Sequence, residues 1–171
     1  KSRYKANVEA IRTVKRLIAE GRYATTEEQE TLSRYVGWGG IANAFDESKS
    51  EWAKEYAELK ELLTNEEYES ARGSTLNAHY TSIEVIRAMY NALGKLGFEG
   101  GRMLEPASGV GNFVGAMPAE MRGKVKSWTM VELDQVTGSI AKYLYPNNDV
   151  RVQGFEAAII PDNYMDVAVG N

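Results

Sequence analysis

The chain has 171 residues, 43% of them apolar, with no cysteine, a single histidine (His79) and a net charge of −4. That is enough to bury one sizeable core, or one core with a helical appendage. Disulfides and thiolate metal sites are excluded, one imidazole gives poor support to a histidine zinc site or a Ser-His-Asp triad, and the acidic balance argues against strong nucleic-acid binding by this polypeptide alone, since that affinity comes mostly from neutralising phosphates.

No apolar run approaches the roughly 20 residues that span a bilayer and no signal peptide is visible, so the expectation is no membrane partner and a cytoplasmic location. Up to about residue 100 the rhythm is helical and without proline. Val8, Ile11, Val14, Leu17 and Ile18 recur at helical spacing across residues 7–20. This first segment carries Lys1, Arg3, Lys5, Arg12, Lys15, Arg16 and Arg22 against Glu9 and Glu20. A solvated helix face is the preferred reading, and a face brushing a phosphate backbone is the alternative. Thr25-x-x-Glu28 has the form of a capping box opening a second helix with Leu32, Tyr35 and Val36. Gly37-Trp38-Gly39-Gly40 breaks it. Trp38 is expected to plug a seam between the helices and a following sheet; the alternatives set it over a ligand pocket or on a base. A third helix is expected over 51–63. Thr64-x-x-Glu67 opens a fourth, and Thr81-x-x-Glu84 a fifth with Val85, Ile86, Met89, Tyr90 and Leu93 on its buried side. His79 reads as structural rather than catalytic, and residues 77–80 as a segment approaching the pocket. The boundary between a helical region, 1–75, and a second domain, 76–171, is placed just before that segment.

Near residue 100 the pattern changes to short apolar runs alternating with helices, as in a parallel sheet. The first run ends in Glu105, and is followed by Pro106, Ala107, the turn Gly109-x-Gly111, and a helix starting near Asn112 and Phe113. The glycines permit positive φ and a close approach to a ligand, and the free N–H groups of the helix start point at the same spot. A dinucleotide fingerprint would need a third glycine at 114, which is Val114, and Glu105 would repel a pyrophosphate. A carboxylate there suits a ligand with an ammonium and a sulfonium, which favours S-adenosylmethionine over NAD. An ordinary strand–helix turn gives the same pattern. The second run, 126–132, ends in Glu132, roughly 20 residues past Gly111, the spacing of a ribose-binding acid. Leu133 would then pack on the adenine; the alternative has Glu132 merely capping the helix over 134–145. A third strand is expected over 149–155, with Phe155 stacking on the adenine and Glu156 accepting from its amine, or else a core Phe beside a solvated Glu. A fourth run over 165–170 leads to Asn171.

These residues resemble a known family. Tyr80-Thr-Ser82, Leu104-Glu-Pro-Ala-Ser-Gly-Val-Gly-Asn-Phe-Val114, Val131-Glu-Leu-Asp134 and Val169-Gly-Asn171 look like successive motifs of N6-adenine DNA methyltransferases. Tyr35-Val-Gly-Trp-Gly-Gly40 and Leu76-Asn-Ala-His-Tyr-Thr81 are similar to the methylase region of large proteins from conjugative elements and phages, often joined to a helicase domain. The resemblance implies a Rossmann-like α/β methyltransferase sheet, partial, behind a helical leader, with S-adenosylmethionine as cofactor and DNA as partner. It places Thr81 near the methionine carboxylate with Tyr80 beside it, although Ser82 stands where the wider family has proline. It gives Glu105 the cofactor amino group, Ala107, Gly109 and Gly111 backbone contact, and Glu132 the ribose. Asn171 aligns with the first residue of an Asn-Pro-Pro-Tyr-like catalytic motif whose other members lie beyond this sequence, so the polypeptide alone is expected to be incomplete as a catalyst. Two other readings stay open: a non-catalytic module that keeps the shape for docking, and a methyltransferase acting on RNA or, less in keeping with Asn171, on protein.

Overall fold

Apolar residues every three or four positions wind the first segment into one long helix, α1 (Ser2–Glu20), which buries Tyr4, Val8, Ile11, Val14 and Leu17 along one stripe. It starts earlier than its apolar repeat, and Ile18, just off the stripe, is half exposed. The computed structural model describes residues 1–76 and 80–171, so the readings placed on Asn77, Ala78 and His79 lie outside the described residues. The chain divides into two compact units, Lys1–Tyr80 and Thr81–Asn171.

In the first unit α2 (Thr26–Ser33) opens with a complete capping box: Glu28 N–H donates to Thr25 Oγ1, and Thr25 N–H donates to the Glu28 carboxylate. The helix ends at Ser33, so Tyr35 and Val36 lie beyond it, Tyr35 buried and Val36 exposed. A turn of 3-10 helix, Ser50–Trp52, leads into α3 (Ala53–Leu62), and a second capping box, Thr64 with Glu67, opens α4 (Asn65–Ser74).

Trp38 is buried within the helical unit. Its ring lies 5.1 Å from Phe45, 6.3 Å from Tyr4 and 6.4 Å from Tyr35, in the aromatic core of the helical unit itself. The glycine loop can hold it there because Asn7, fully buried in α1, grips the backbone. Its amide donates to Gly37 O at 2.6 Å and accepts from Val36 N–H at 2.9 Å. Five of the seven cations of the first segment are likewise engaged at home: Lys1 with Glu55, Arg12 with Glu58, Lys15 with Glu67, Arg16 with Glu28, and Arg22 with Glu20 and Glu28. Such exposed pairs contribute about 0–1 kcal/mol each, but they reduce the positive charge that a phosphate backbone would need.

The second unit begins with α5 (Ile83–Lys95). Its N-cap is Ser82, whose hydroxyl accepts from Val85 N–H, rather than the expected Thr81. The buried stripe is Ile86 and Tyr90 with Met89 and Leu93 partly covered, the i, i+3, i+4, i+7 set; Val85 lies one step off it and is half exposed. Then follow β1 (Gly101–Glu105), the short helices α6 (Asn112–Ala116) and α7 (Ala119–Arg122), β2 (Val125–Glu132), α8 (Gln135–Leu144), β3 (Asp149–Val152) and β4 (Val167–Ala168). All pairings are parallel, in the order β3-β2-β1-β4, with Leu104 opposite Thr129 and Ala168, and Met130 opposite Val150. This is a mixed α/β fold with a helical N-terminal unit. Met103, Met130, Trp128, Phe113 and Met117 form the core against Ile86 and Tyr90. β3 stops short of 155: Gly154 leads into a 3-10 turn, Phe155–Ala157. Among the described residues no helix is long and apolar enough to cross a membrane.

Replacing Asn7 by Ala removes both grips on the glycine loop and strands two backbone groups, and is expected to cost about 2 kcal/mol. Urea denaturation followed by tryptophan fluorescence measures this.

Candidate functional site

Parallel pairing brings the C-terminal ends of the strands to one edge, which collects Glu105, Glu132 and the residues after β3 and β4. β1 is flanked on both sides, so its last residue is enclosed: Glu105 is 2% exposed, and its Oε2 has no hydrogen-bond partner among the described residues. Two phenols nearby do not serve it. Tyr90 on α5 donates to Phe113 O at 2.7 Å, and Tyr145, just after α8, donates to Gly111 O at 3.1 Å.

The turn after Glu105 is built to be narrow. Pro106 is half-buried and Ala107 exposed, and buried Ser108 ties back to β2 through its N–H on Val131 O at 2.8 Å. Gly109 has φ 55° and Gly111 φ 90°. A Cβ on Gly111 would come 2.5 Å from the Tyr145 ring and 2.7 Å from Met130 Cε, so this position requires glycine for space as well as for conformation. Asn112, half-buried, begins α6, while Phe113 points into the core with its ring 6.4 Å from Tyr90. Phe113 therefore supports the turn from beneath.

Glu132 is half-buried and fastens the turn to the second strand. Its Oε2 accepts from Gly109 N–H and its Oε1 from Asp134 N–H, both at 2.8 Å. The side chain that caps α8 is Asp134, which accepts from Thr137 N–H. Beyond Glu132, Leu133 is 73% exposed; after β3, Phe155 is 48% exposed and Glu156 is exposed. Phe155 is thus no core residue. After β4, Gly170 lies against Pro106 and the Glu105 side chain, and the amide of Asn171 donates to Thr81 Oγ1 at 3.2 Å. The hydroxyl expected to cap α5 is engaged there instead. Tyr80 ends the helical unit, its ring packed over Gly37.

Burial, with the Glu132 charge beside it, pushes the Glu105 carboxyl up to about 9. Burial raises Glu132 as well, but the N–H groups of Asp134 and Gly109 oppose the shift. Glu132 is thus the better-stabilised anion of the two, since it accepts from two backbone N–H groups while Glu105 Oε2 accepts from no described donor. Burial raises both phenols too, with Glu105 adding to the effect. A desolvated acid beside a second carboxyl, at a turn of positive-φ glycines, is suited to receive a cation. A separate groove of about 620 Å³ lies on the helical unit among Tyr4, Arg12, Arg16 and Glu28, but those arginines are already paired with Glu58 and Glu28.

Sequence reasoning missed the groups that hold α6. Besides Tyr90 and Tyr145, Arg122 donates to Gly115 O and Met117 O, both at 2.8 Å. These three residues come from three different elements, and no local pattern marks them.

No family model matches the chain. It is 26% identical over 171 residues to the defense against restriction protein B of Escherichia phage P1, covering 99% of this chain and 6% of the phage protein. The chain thus spans only a small part of the length of that relative. Among solved structures it is similar to a proposed class I S-adenosylmethionine-dependent methyltransferase of Listeria monocytogenes, at 16% identity and a TM-score of 0.45, covering 99% of this chain and 58% of that one.

Two outcomes follow from the geometry. Gly111→Ala forces apart Tyr145 and Met130 and adopts a disfavoured φ, and should lower stability by about 2 kcal/mol or more in chemical denaturation. Because the carboxyl of Glu105 is raised in the folded state, folding takes up a proton between its unfolded pKa, near the ordinary 4.5, and about 9. Stability should be greatest at the acid end of that window and decline as pH rises through it, by at most about 1.4 kcal/mol per pH unit. Glu105→Gln should flatten the decline, as read from urea midpoints between pH 5 and 8.

Proposed function

We propose that the strand-end site binds S-adenosylmethionine, and that the chain is the cofactor-binding part of a methyltransferase acting on the N6 amino group of adenine in DNA. The observation that carries the reading is the buried, unpartnered oxygen of Glu105 at the mouth of a positive-φ turn, with Glu132 beside it. The residues present suit the cofactor. Glu105 would take its ammonium, and Glu132 its ribose hydroxyls through lone pairs left after Gly109 and Asp134. Pro106, Ala107, Gly109, Gly111 and Asn112 would offer backbone at close range. Leu133 and Phe155 present exposed apolar faces for the adenine, with Glu156 for its amine, and Thr81 would lie toward the methionine carboxylate.

When bound, S-adenosylmethionine supplies an electrophilic methyl group. The chain's own task is to prepare the acceptor. An adenine amine is a poor nucleophile because its lone pair is delocalised into the ring. An acceptor on its hydrogens counters that delocalisation once the base is out of the stack. Thr81 turns the Asn171 amide so that its N–H₂ side is engaged, leaving Oδ1 to accept from such an amine. Two observations support a DNA-directed role: the motif series ending in Asn171, and the likeness to a phage protein named for defence against restriction. That name fits equally a second reading, in which the same fold serves as a non-catalytic docking module.

Calorimetric titration with S-adenosylhomocysteine tests the first step. Binding should weaken by about tenfold or more, on the order of 1.4 kcal/mol, in Glu105→Ala and in Glu132→Ala. Asn171→Ala should leave that affinity within about twofold and abolish N6-methyladenine formation in DNA. Binding without any methyl transfer to DNA would favour docking; no binding by folded wild type would reject the cofactor reading.

A further inference from the structure

We propose that Glu105 holds a proton while the site is empty and releases it when a cationic ligand arrives, so that binding at the strand ends is a proton-for-cation exchange. The proposal rests on the cofactor reading above and adds how the site handles charge.

Among the described residues, the titratable and charged groups around Glu105 are Glu132 at the end of β2, Tyr90 on α5 and Tyr145 after α8, with Arg122, the last residue of α7, acting on the two phenols. β4 brings only Gly170 against it. Both phenol hydroxyls are committed to main-chain carbonyls, of Phe113 and Gly111. The guanidinium of Arg122 is committed to those of Gly115 and Met117. No described donor reaches Glu105 Oε2. A carboxylate at this position would be an ion without counter-ion or hydrogen bond, next to a second carboxylate, which burial does not tolerate. Glu132 differs in the one respect that matters: two backbone N–H groups stabilise its negative charge. The single proton therefore belongs to Glu105, and burial holds it there through neutral pH.

An incoming ammonium supplies what the protein withholds, a positive charge and N–H donors. The O–H bond of the carboxyl breaks, the electron pair stays on oxygen, the proton leaves to solvent, and the carboxylate pairs with the intact ammonium. Charge and atoms balance, with one proton released per cation bound. A nucleoside that fills the adenine and ribose positions but carries no amino-acid group gives no reason for release. The arrangement thereby discriminates by charge: a neutral ligand meets a neutral acid, and a cation meets an anion made on demand.

The test uses the 171-residue chain. Infrared difference spectroscopy of the ligand-free wild type against Glu105→Gln at pH 7 should show a protonated-carboxyl band, which disappears on adding S-adenosylhomocysteine. Calorimetry in two buffers of different ionisation enthalpy should show release of about one proton per S-adenosylhomocysteine bound and about none per 5′-methylthioadenosine. The Gln variant should bind methylthioadenosine within about twofold of wild type and release no proton with either ligand. Absence of the band would overturn the proposal on wild type alone. Band and binding together with no buffer dependence would overturn the exchange while leaving the cofactor reading intact. A band with no binding of either ligand would overturn the cofactor reading, and the exchange with it.

Discussion

Everything at the strand ends follows from enclosing one carboxyl group between two parallel neighbours. β1 lies between β2 and β4, its last side chain is 2% exposed, and the turn after it folds back through Ser108 to β2. An apolar residue there would bury at little cost. A glutamate costs stability until something positive meets it, and the fold bears that cost in the core around Met103 and Met130.

The same enclosure explains why the turn is held so firmly. Gly109 and Gly111 adopt positive φ, and without restraint such a turn has many conformations. Four main-chain carbonyls from Gly111 to Met117 accept from Tyr145, Tyr90 and Arg122, while Glu132 holds Gly109 N–H. None of these donors serves Glu105 Oε2, which has no hydrogen-bond partner among the described residues. The turn is thus held firmly while the acid beside it is left without a described partner.

The helical unit meets its own demands. Its glycine loop is shaped by Asn7 and filled by Trp38, and its row of cations is matched by Glu55, Glu58, Glu67 and Glu28. A face neutralised in this way offers little to a phosphate backbone.

Local chemistry alone determined a good deal of this protein. Thr25 with Glu28 and Thr64 with Glu67 started helices where they stand, because a capping box is satisfied within one turn of chain. The apolar runs ending in Glu105 and Glu132 became β1 and β2, and the glycines between them took positive φ, because short-range sterics decide both. What depends on distant partners was decided only by the tertiary structure. Thr81 and Ser82 are both competent caps, and Ser82 takes the role while Thr81 meets Asn171 from the far end of the sheet. Val85 fell outside the buried stripe because the packing of Ile86 and Tyr90 against Met103 and Phe113, not composition, selects the face. Trp38 went to an aromatic core whose members are scattered from Tyr4 to Phe45. The state of Glu105 was illegible for the same reason: its charge depends on where Tyr90, Tyr145, Arg122 and Glu132 spend their hydrogen bonds, and those choices exist only once the chain is folded.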